Sequence, residues 1–499
     1  MNDFSEPSAM VLGVDAVSGD PVLPGAPATA PADIARLAAA AGEVFDAFRG
    51  LARERRARLL DAIADQIEAI GDALITTAMS ETGLARGRLE GERGRTTGQL
   101  RLFAGVVRDG AYLERREDAA LPDRVPPRPS LRMHKIALGP VAVFAASNFP
   151  LAFSVAGGDT ASALAVGCPV VVKAHPAHPG VSRLVEQAVR RAIQAEGLPD
   201  AIFAVVYERG FEGGLALVGH PAIKAVGFTG SRAGGRALMA AAAARPEPIP
   251  VFAEMSSINP VILLPYALTA RGEAIAQGFA AALTLGSGQF CTNPGLVLGI
   301  DGPDLDAFIA AAGRALQAIA PAPMLTAGMR EAFREGVCRV ADSGAAVRHA
   351  HTDPGEGALV GASLSSARAA DFLSATDLHD EVFGAAALVV RCRDFDELVS
   401  VVERLEGQLT VAVHLDAADE PGAARLLPVL ERKAGRILAN GFGTGVEVST
   451  AMVHGGPWPA TSDSRSTSVG SLAIDRFLRP VCYQAWPDAI LPTDLRPTS

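Results

Sequence analysis

Short apolar runs of strand type alternate with helical runs through most of this chain, and this alternation constrains the fold more than any other feature. A first series of strands and helices begins at residue 141; a second begins near residue 261 and continues to about residue 448. Strands that alternate with helices pair in parallel, because each helix returns the chain to the same end of the sheet. The pattern therefore predicts an α/β fold with a doubly wound parallel sheet.

The first series has the clearest elements. Its predicted strands are Val141–Ala145, Val170–Lys173, Ala201–Val206 and Lys224–Phe228, and its predicted helices are Asp159–Val166, Val181–Glu196 and Arg236–Ala244. The second series predicts helices at 270–285 and 304–320 and a strand at 386–390. These lengths are typical of crossover units in a parallel sheet.

Segments outside the two series have other patterns. Residues 1–30 read as one or two strands with loops, and residues 31–112 carry apolar side chains at helical spacing in three runs. Residues 117–139 contain four prolines and then alternate, and residues 476–483 alternate again. Both of these alternating segments predict extended strands away from the main α/β body.

The composition argues against several classes of protein. At 499 residues the chain predicts two or three domains, and its net charge of −10, without a basic tract, argues against nucleic-acid binding. Five cysteines without CxxC spacing indicate a reducing compartment, and neither a disulfide scaffold nor a zinc site. No signal-peptide pattern and no membrane-spanning run are evident, so we expect a cytoplasmic location and no membrane partner.

Three polar residues stand in unusually apolar sequence. Cys291 lies in LTLGSGQFCTNP, Asn148 in VAVFAASNFPLAF and Glu254 in IPVFAEMSSINPVIL. A buried core thiol is the commoner role for a single intracellular cysteine. One thiol, one amide and one carboxylate in such settings instead predict a nucleophile, an oxyanion donor and a general base. We expect burial to raise the pKa of the Glu254 carboxyl.

A glycine-rich turn between a predicted strand and helix points to a cofactor. The segment Gly227–Gly235, GFTGSRAGG, would place backbone N–H groups at a helix N-terminus, where they can bind phosphate. Lys173 ends the predicted strand VVVK at the edge where doubly wound sheets bind nucleotides. Alone, the turn fits a tight strand–helix connection equally well, and the lysine fits a solvated side chain. Together they favour a dinucleotide.

Six short motifs occur in a fixed order along the chain. They are SNFP, VVVKAHPAHP, GFTGS, AEMSSINP, GQFCTNPG and EVFG. In this order and spacing they resemble the aldehyde dehydrogenase superfamily over nearly the whole chain. More narrowly, FAASNFPLAFSVAGGDT, HGGPWPATSDSRSTSVG and RFLRPVCYQ are similar to the α-ketoglutaric semialdehyde (2,5-dioxovalerate) dehydrogenases. A fatty-aldehyde dehydrogenase group shares much of that pattern.

The resemblance implies a covalent mechanism on a small-molecule aldehyde. Cys291 would attack the aldehyde, while the Asn148 amide and the Cys291 backbone N–H would hold the oxyanion. Hydride transfer to the nicotinamide would leave a thioester. Water activated by Glu254 would then hydrolyse the thioester to a carboxylic acid.

The resemblance also implies an aldehyde dehydrogenase-like domain organisation. A Rossmann-type cofactor domain would comprise residues 1–116 and 138–254, and an α/β catalytic domain would comprise 255–475. Residues 117–137 and 476–499 would form a small β extension that pairs between subunits. We therefore expect a homodimer or a homotetramer.

Further positions match cofactor contacts of the family. They are Lys173, His175, Gly230, Ser231, Glu381 and Phe383. Many NAD-specific members place a Glu three residues after the strand lysine, where this chain has Pro176. Loss of that carboxylate removes repulsion against a 2′-phosphate, so we expect NADP or NAD, with NADP favoured. His175 and Arg209 are the candidate phosphate ligands.

Arg95 is the predicted specificity residue. By resemblance it lies on a helix that lines the substrate tunnel, where many relatives carry an apolar residue. Its guanidinium offers a bidentate site for a carboxylate, as α-ketoglutaric semialdehyde requires at the end far from its aldehyde. A solvated helix arginine is the alternative. Phe149 and Phe290 are the other expected substrate contacts, and 2-oxoglutarate is the expected product.

Other functions stay open on the sequence. A fatty or other medium-chain aldehyde is the alternative substrate. A CoA-dependent acylating enzyme would use the same thiol but commonly lacks the water-activating acid, so Glu254 argues for hydrolysis. A catalytically silent binding protein of the same fold is expected to have lost Cys291, Asn148 or Glu254, and all three are present.

No metal site is predicted. His175 and His178 have the spacing of a ligand pair, but Pro176 breaks a helix between them and no third ligand is nearby. The cysteines other than Cys291, including Cys168 and Cys482, are expected to be structural.

Overall fold

The structure, a computed structural model, describes residues 10–352 and 358–496. The prediction for residues 1–9 lies outside the described residues. The chain begins with a short antiparallel hairpin and four helices: β1 (Met10–Val14), β2 (Pro21–Pro27), α1 (Pro31–Arg49), α2 (Arg53–Glu68), α3 (Asp72–Thr82) and α4 (Arg86–Asp109). Prolines or alanines precede or begin most of these helices, while Gly83 and Gly110 end α3 and α4 in the left-handed conformation.

Two short strands follow, β3 (Arg116–Asp118) and β4 (Leu131–Ala137). The chain then enters the first α/β series, whose elements are β5 (Val141–Phe144), α5 (Gly158–Val166), β6 (Val170–Lys173), α6 (Pro179–Ala195), β7 (Phe203–Val206), α7 (Glu212–Gly219), β8 (Ala225–Thr229), α8 (Arg232–Ala243) and β9 (Val251–Glu254). These five strands form one parallel sheet in the order β7-β6-β5-β8-β9.

The parallel arrangement determines where side chains meet. Lys173 ends β6 and Glu254 ends β9, so both lie at the same edge of this sheet. Helix α8 begins one turn earlier than predicted, because the Ser231 hydroxyl caps it by accepting a hydrogen bond from the Gly234 N–H. Helix α7, whose sequence EGGLALVG contains three glycines, has a weak helical signal and was not predicted.

The second series builds a larger sheet. Its elements are β10 (Pro260–Leu263), α9 (Pro265–Thr284), β11 (Leu296–Ile300), α10 (Pro303–Gln317), β12 (Ala322–Pro323), α11 (Ala327–Asp342), β13 (Ala346–His351), β14 (Leu359–Val360), β15 (Ser363–Arg368), α12 (Ala369–Ser374), β16 (Ala386–Cys392), α13 (Phe395–Arg404), β17 (Gln408–His414), α14 (Glu420–Lys433) and β18 (Ala434–Ala439). Seven strands pair in the order β13-β15-β16-β11-β10-β17-β18, and all the pairs are parallel except β13 with β15. The predicted α/β fold is confirmed.

The last strand, β19 (Leu478–Gln484), pairs antiparallel with β4 in a sheet of order β19-β4-β3. The two segments predicted to be extended therefore pair with each other within one chain. The proposed domain boundaries and subunit contacts stay predictions. Among the described helices, none is both long and apolar enough to cross a membrane.

Candidate active site

The structure brings a carboxylate, an imidazole and a thiol together between the two sheets. The Nε2 atom of His454 lies 2.9 Å from Oε1 of Glu254 and 3.3 Å from the Cys291 sulfur. Glu254 ends β9, Cys291 lies in the loop after α9, and His454 comes from the segment that follows β18. The Ser468 hydroxyl donates to the other oxygen of Glu254. Glu254 and His454 are almost fully buried.

Burial and the Glu254 charge raise the pKa of the Cys291 thiol well above its ordinary value. Burial also acts to raise the pKa of Glu254, but the His454 imidazole and the Ser468 hydroxyl favour the carboxylate and hold that pKa below its ordinary value. The expectation of a raised pKa for Glu254 was therefore wrong. The apolar residues around Glu254 correctly predicted that it is buried. They could not predict His454 and Ser468, which stabilise the Glu254 carboxylate.

Asn148 and the Cys291 backbone, the predicted oxyanion donors, belong to loops that a hydrogen bond connects. The Asn148 side-chain amide donates to the Gln289 carbonyl at 3.0 Å, two residues before the thiol. The Cys291 N–H has no hydrogen-bond partner among the residues that the structure describes. Asn259 fixes this loop, since its amide donates at 2.9 Å to the carbonyls of Cys291 and Asn293.

Arg88 joins the Asn148 loop to the Cys291 loop. Its guanidinium carbon lies 4.5 Å from the ring centres of both Phe149 and Phe290, and it donates to the Asn148 carbonyl at 3.2 Å. The same guanidinium pairs with the buried Glu92 at 3.3 Å. Glu92 in turn accepts hydrogen bonds from the backbone N–H groups of residues 151 and 152. Phe149 and Phe290, the expected substrate contacts, therefore also hold Arg88.

Arg95 is a half-buried cation of the site whose hydrogen-bonding groups are incompletely used. Its Nε and Nη2 atoms are buried and have no hydrogen-bond partner among the described residues. Its guanidinium carbon lies 5.3 Å from the Phe153 ring. Burial lowers the pKa of Arg95, and the negative charges of Cys291 and Glu254 oppose that shift. The structure does not support the alternative of a solvated arginine.

The glycine-rich turn lies where the prediction placed it, at the N-terminus of α8. The Gly230 N–H donates to the Glu254 carbonyl at 3.0 Å, which ties the turn to the strand that carries the carboxylate. A Cβ at Gly230 would lie 2.7 Å from the Phe228 ring, so the turn needs glycine there. The Ser231 cap occupies the Gly234 N–H, whereas the N–H groups of Arg232 and Ala233 have no partner among the described residues and stay available for a phosphate.

Glu381 and Phe383 line a cavity of about 40 Å³ together with Gly288 and Asn293, next to the Cys291 loop. Burial raises the pKa of Glu381 to about 8. Burial also lowers the pKa of Lys173 at the end of β6, and Glu208 opposes that shift. A role for these positions in binding the dinucleotide stays a prediction.

The two candidate phosphate ligands differ. Burial, His178 and Lys173 lower the pKa of His175 to about 3, so this ring is neutral and its Nδ1 accepts from the Ala177 N–H. Arg209 is exposed and donates to the Leu12 carbonyl at 3.3 Å. Of these two residues, Arg209 is the one that carries a positive charge.

Sequence reasoning missed several residues of the site, among them Ser468, Arg88, Glu92 and the three that follow. His454 stands in AMVHGGPWP, Phe153 packs its ring 6.3 Å from His454, and Asn259 holds the Cys291 carbonyl. A lone histidine in an apolar segment was the available signal for His454. The other thiols are free: Cys168 and Cys392 are buried, whereas Cys338 and Cys482 are exposed and so are not core residues.

Comparison with known proteins agrees with this geometry. The aldehyde dehydrogenase family profile matches residues 14–457. An α-ketoglutaric semialdehyde dehydrogenase 2 of Azospirillum brasilense is 56% identical and covers 98% of this chain and 96% of its own length. The chain belongs to the aldehyde dehydrogenase family. A second relative, the α-ketoglutaric semialdehyde dehydrogenase of Acinetobacter baylyi, is 48% identical over 93% of this chain and 88% of its own length.

Solved structures agree on the fold of this aldehyde dehydrogenase. A lactaldehyde dehydrogenase matches with a TM-score of 0.83 at 22% identity, covering 96% of each chain. The glyceraldehyde-3-phosphate dehydrogenase GapN from Methanocaldococcus jannaschii, complexed with NADP, matches with a TM-score of 0.81 at 17% identity, covering 96% of this chain and 99% of that one. The chain is thus an enzyme that oxidises an aldehyde to the acid with NAD(P).

Proposed function

We propose that this aldehyde dehydrogenase oxidises α-ketoglutaric semialdehyde to 2-oxoglutarate. The observation that carries the proposal is Arg95, whose buried Nε and Nη2 lack partners beside the reactive thiol. A guanidinium in this state favours a substrate with a carboxylate at the end far from the aldehyde. The names of the two relatives, at 56% and 48% identity, support the same substrate.

Cys291 is the proposed nucleophile. Because the pKa of its thiol is raised, it needs a base, and His454 Nε2 at 3.3 Å takes the proton from the tautomer in which the ring proton is on Nδ1. The imidazolium that forms is stabilised by the Glu254 carboxylate, whose Oε1 lies 2.9 Å from the same nitrogen. The sulfur attacks the aldehyde carbon and forms a thiohemiacetal. The Asn148 amide and the free Cys291 N–H stabilise its oxyanion, at about 3–4 kcal/mol per donor in comparable sites.

Bound NAD(P) supplies the hydride acceptor, and collapse of the thiohemiacetal leaves a thioester on Cys291. Glu254 is the proposed base for the second half of the reaction, since its carboxylate is held ionised by His454 and Ser468. It takes a proton from water as the water attacks the thioester. The acid leaves, and the thiol is restored.

NADP is the proposed preferred cofactor. Pro176 replaces the acid that would repel a 2′-phosphate, and Arg209 can supply a positive charge nearby. The nearest carboxylate, Glu208, accepts hydrogen bonds from the Gly213 and Gly214 N–H groups at 2.8 Å and is thereby directed toward α7. We expect a higher kcat/KM with NADP than with NAD, and a selective rise in the KM for NADP in Arg209→Ala.

A homodimer or homotetramer is the proposed assembly, with β19 as the pairing strand. β19 lies at the edge of its three-stranded sheet, so one side of its backbone is open to a strand from a second copy. Sedimentation that shows a stable monomer at micromolar concentration would contradict this.

The substrate is tested with a panel of aldehydes. Reduced cofactor is followed with α-ketoglutaric semialdehyde and with a neutral aldehyde of equal length, each with NADP or NAD, with and without CoA. We expect the semialdehyde to have the higher kcat/KM and CoA to be without effect. A strict requirement for CoA, or preference for a long apolar aldehyde, would overturn the proposal.

The mechanism is tested by rapid mixing. Glu254→Gln should retain a burst of reduced cofactor but lose steady turnover, because thioester hydrolysis needs the carboxylate. His454→Gln should lose the burst, since the thiol then lacks its adjacent base. Cys291→Ala should lose all oxidation and still bind cofactor. Full steady turnover in Glu254→Gln would exclude Glu254 as the hydrolytic base.

A further inference from the structure

The arrangement of Glu254, Cys291 and His454 also has the composition of a metal-binding site. One donor atom from each residue lies within 4.8 Å of the other two, and a thiolate, an imidazole and a carboxylate are all zinc ligands. No other group of three or more such residues was found among the described residues. We propose that this cluster is an inhibitory site for Zn²⁺, in which the metal binds the catalytic residues and blocks aldehyde oxidation.

The distances suit a tetrahedral ion. With ordinary zinc bond lengths, the sulfur and nitrogen of two ligands lie about 3.6 Å apart, and a nitrogen and an oxygen about 3.4 Å apart. The observed separations are 3.3 Å between Cys291 Sγ and His454 Nε2 and 2.9 Å between that nitrogen and Glu254 Oε1. Opening these gaps by a few tenths of an ångström makes room for the ion. The fourth position is then open to water.

Of the three ligands, Glu254 has a hydrogen-bond partner that orients it for a metal, whereas His454 has none in the described part of the chain. Ser468 donates to the second oxygen of Glu254 and so orients this carboxylate as partners of metal ligands do. His454 Nδ1 is buried and has no hydrogen-bond partner among the described residues, so no acceptor holds the ring in its metal-binding tautomer. A resident zinc site normally has such an acceptor. The cluster therefore fits a metal that binds reversibly and not a permanent cofactor.

Binding changes the proton balance of the site. The bonds formed are Zn–S, Zn–N and Zn–O, and the Cys291 thiol proton is released to solvent. The His454 Nε2 lone pair must be free, so the ring carries its proton on Nδ1 and releases none. Thiolate and imidazole prefer Zn²⁺ to Mg²⁺, which binds oxygen ligands. With the sulfur bound to zinc, no nucleophile is left for the aldehyde.

Two readouts test the site. Zn²⁺ should inhibit the reduced wild-type enzyme at micromolar concentration, a chelator should restore activity, and Mg²⁺ should have no effect. Co²⁺ reports binding without turnover, because a thiolate ligand gives a near-ultraviolet charge-transfer band and tetrahedral geometry gives strong visible bands. Cys291→Ser, a one-atom change, should abolish the charge-transfer band. His454→Gln should weaken Co²⁺ affinity about tenfold or more.

The exposed thiols supply the control. A Cys338→Ser/Cys482→Ser double variant removes both exposed cysteines and should keep the cobalt spectrum and the zinc inhibition. Loss of the band in this double variant, its persistence in Cys291→Ser, or full activity of the wild-type enzyme in excess Zn²⁺ would each overturn the proposal. The cobalt readout does not depend on the identity of the aldehyde.

Discussion

Arg88 and Arg95 lie seven residues apart on α4, and both guanidinium groups approach the ring of Phe149. The protein satisfies the first: Arg88 pairs with Glu92, donates to the Asn148 carbonyl and is enclosed by two rings. It leaves Nε and Nη2 of the second without partners. A buried charge whose buried N–H groups have partners in the protein stabilises the fold. A buried charge with unpaired N–H groups costs free energy unless a ligand accepts hydrogen bonds from them.

The largest expected difference between the two arginines is in stability. Arg88→Met should lower the free energy of unfolding by about 3–5 kcal/mol, because Glu92 is then left buried and unpaired. Arg95→Met should leave the free energy of unfolding unchanged or raise it, since it removes a half-buried cation with unpaired N–H groups. Urea denaturation measures both. Equal losses would show that the protein already satisfies Arg95.

Substrate recognition should show the reverse order. Arg95→Met should raise the KM for α-ketoglutaric semialdehyde about 30- to 150-fold, or on the order of 2–3 kcal/mol, by loss of a charge-assisted clamp. The KM for a neutral aldehyde of similar length should be unchanged, so that only the pH dependence of kcat/KM differs for that substrate. Arg101→Met, on the exposed face of the same helix where it pairs with Asp65 and Glu68, is the matched control. If both aldehydes suffer alike, the carboxylate is bound elsewhere.

The pH profile sharpens the comparison through the thiol. Because the pKa of Cys291 is raised, the thiolate fraction grows with pH, and kcat/KM should rise about tenfold per unit through the neutral and alkaline range. Because the pKa of Glu254 lies below its ordinary value of 4.5, protonation of this carboxyl does not reduce kcat/KM above pH 4.5. Arg95 favours the thiolate, so Arg95→Met should shift the rise to higher pH with a neutral aldehyde. An unshifted profile would place this charge too far from the sulfur.

The smallest expected effect separates charge from shape. Arg95→Lys keeps the positive charge but loses the planar fork, so the KM for the semialdehyde should rise only about fivefold, or about 1 kcal/mol. Steady-state kinetics of Lys and Met variants in parallel give this ratio. A Lys variant as poor as the Met variant would show that bidentate geometry, and not charge, determines recognition.

Local sequence predicted those features whose cause is local. The strand β6 (Val170–Lys173) was recognisable because a fully buried strand is an apolar run, and the N-terminus of α8 because a glycine-rich turn precedes it. Cys291, Asn148 and Glu254 were recognisable because burying a polar side chain costs free energy, so a polar residue in apolar sequence suggests a function. Helix α7 gave no such signal.

The remainder depends on residues far apart in the chain. His454 meets Cys291 across 163 residues, and Ser468 meets Glu254 across 214. No spacing rule connects them, and His454 and Ser468 lower the pKa of Glu254, whose direction of shift was predicted wrongly. Arg95 was nominated by resemblance, but only packing shows that its Nε and Nη2 lack partners while Nη2 of Arg88 donates to Glu92 and to the Asn148 carbonyl.

The same long separations have a consequence for biosynthesis. The thiol at 291 leaves the ribosome well before residues 454 and 468, which supply its base and hold the carboxylate. A nascent chain that ends before residue 454 lacks both His454 and Ser468. The contacts that hold the pKa of Glu254 below its ordinary value can therefore form only after synthesis has passed residue 468.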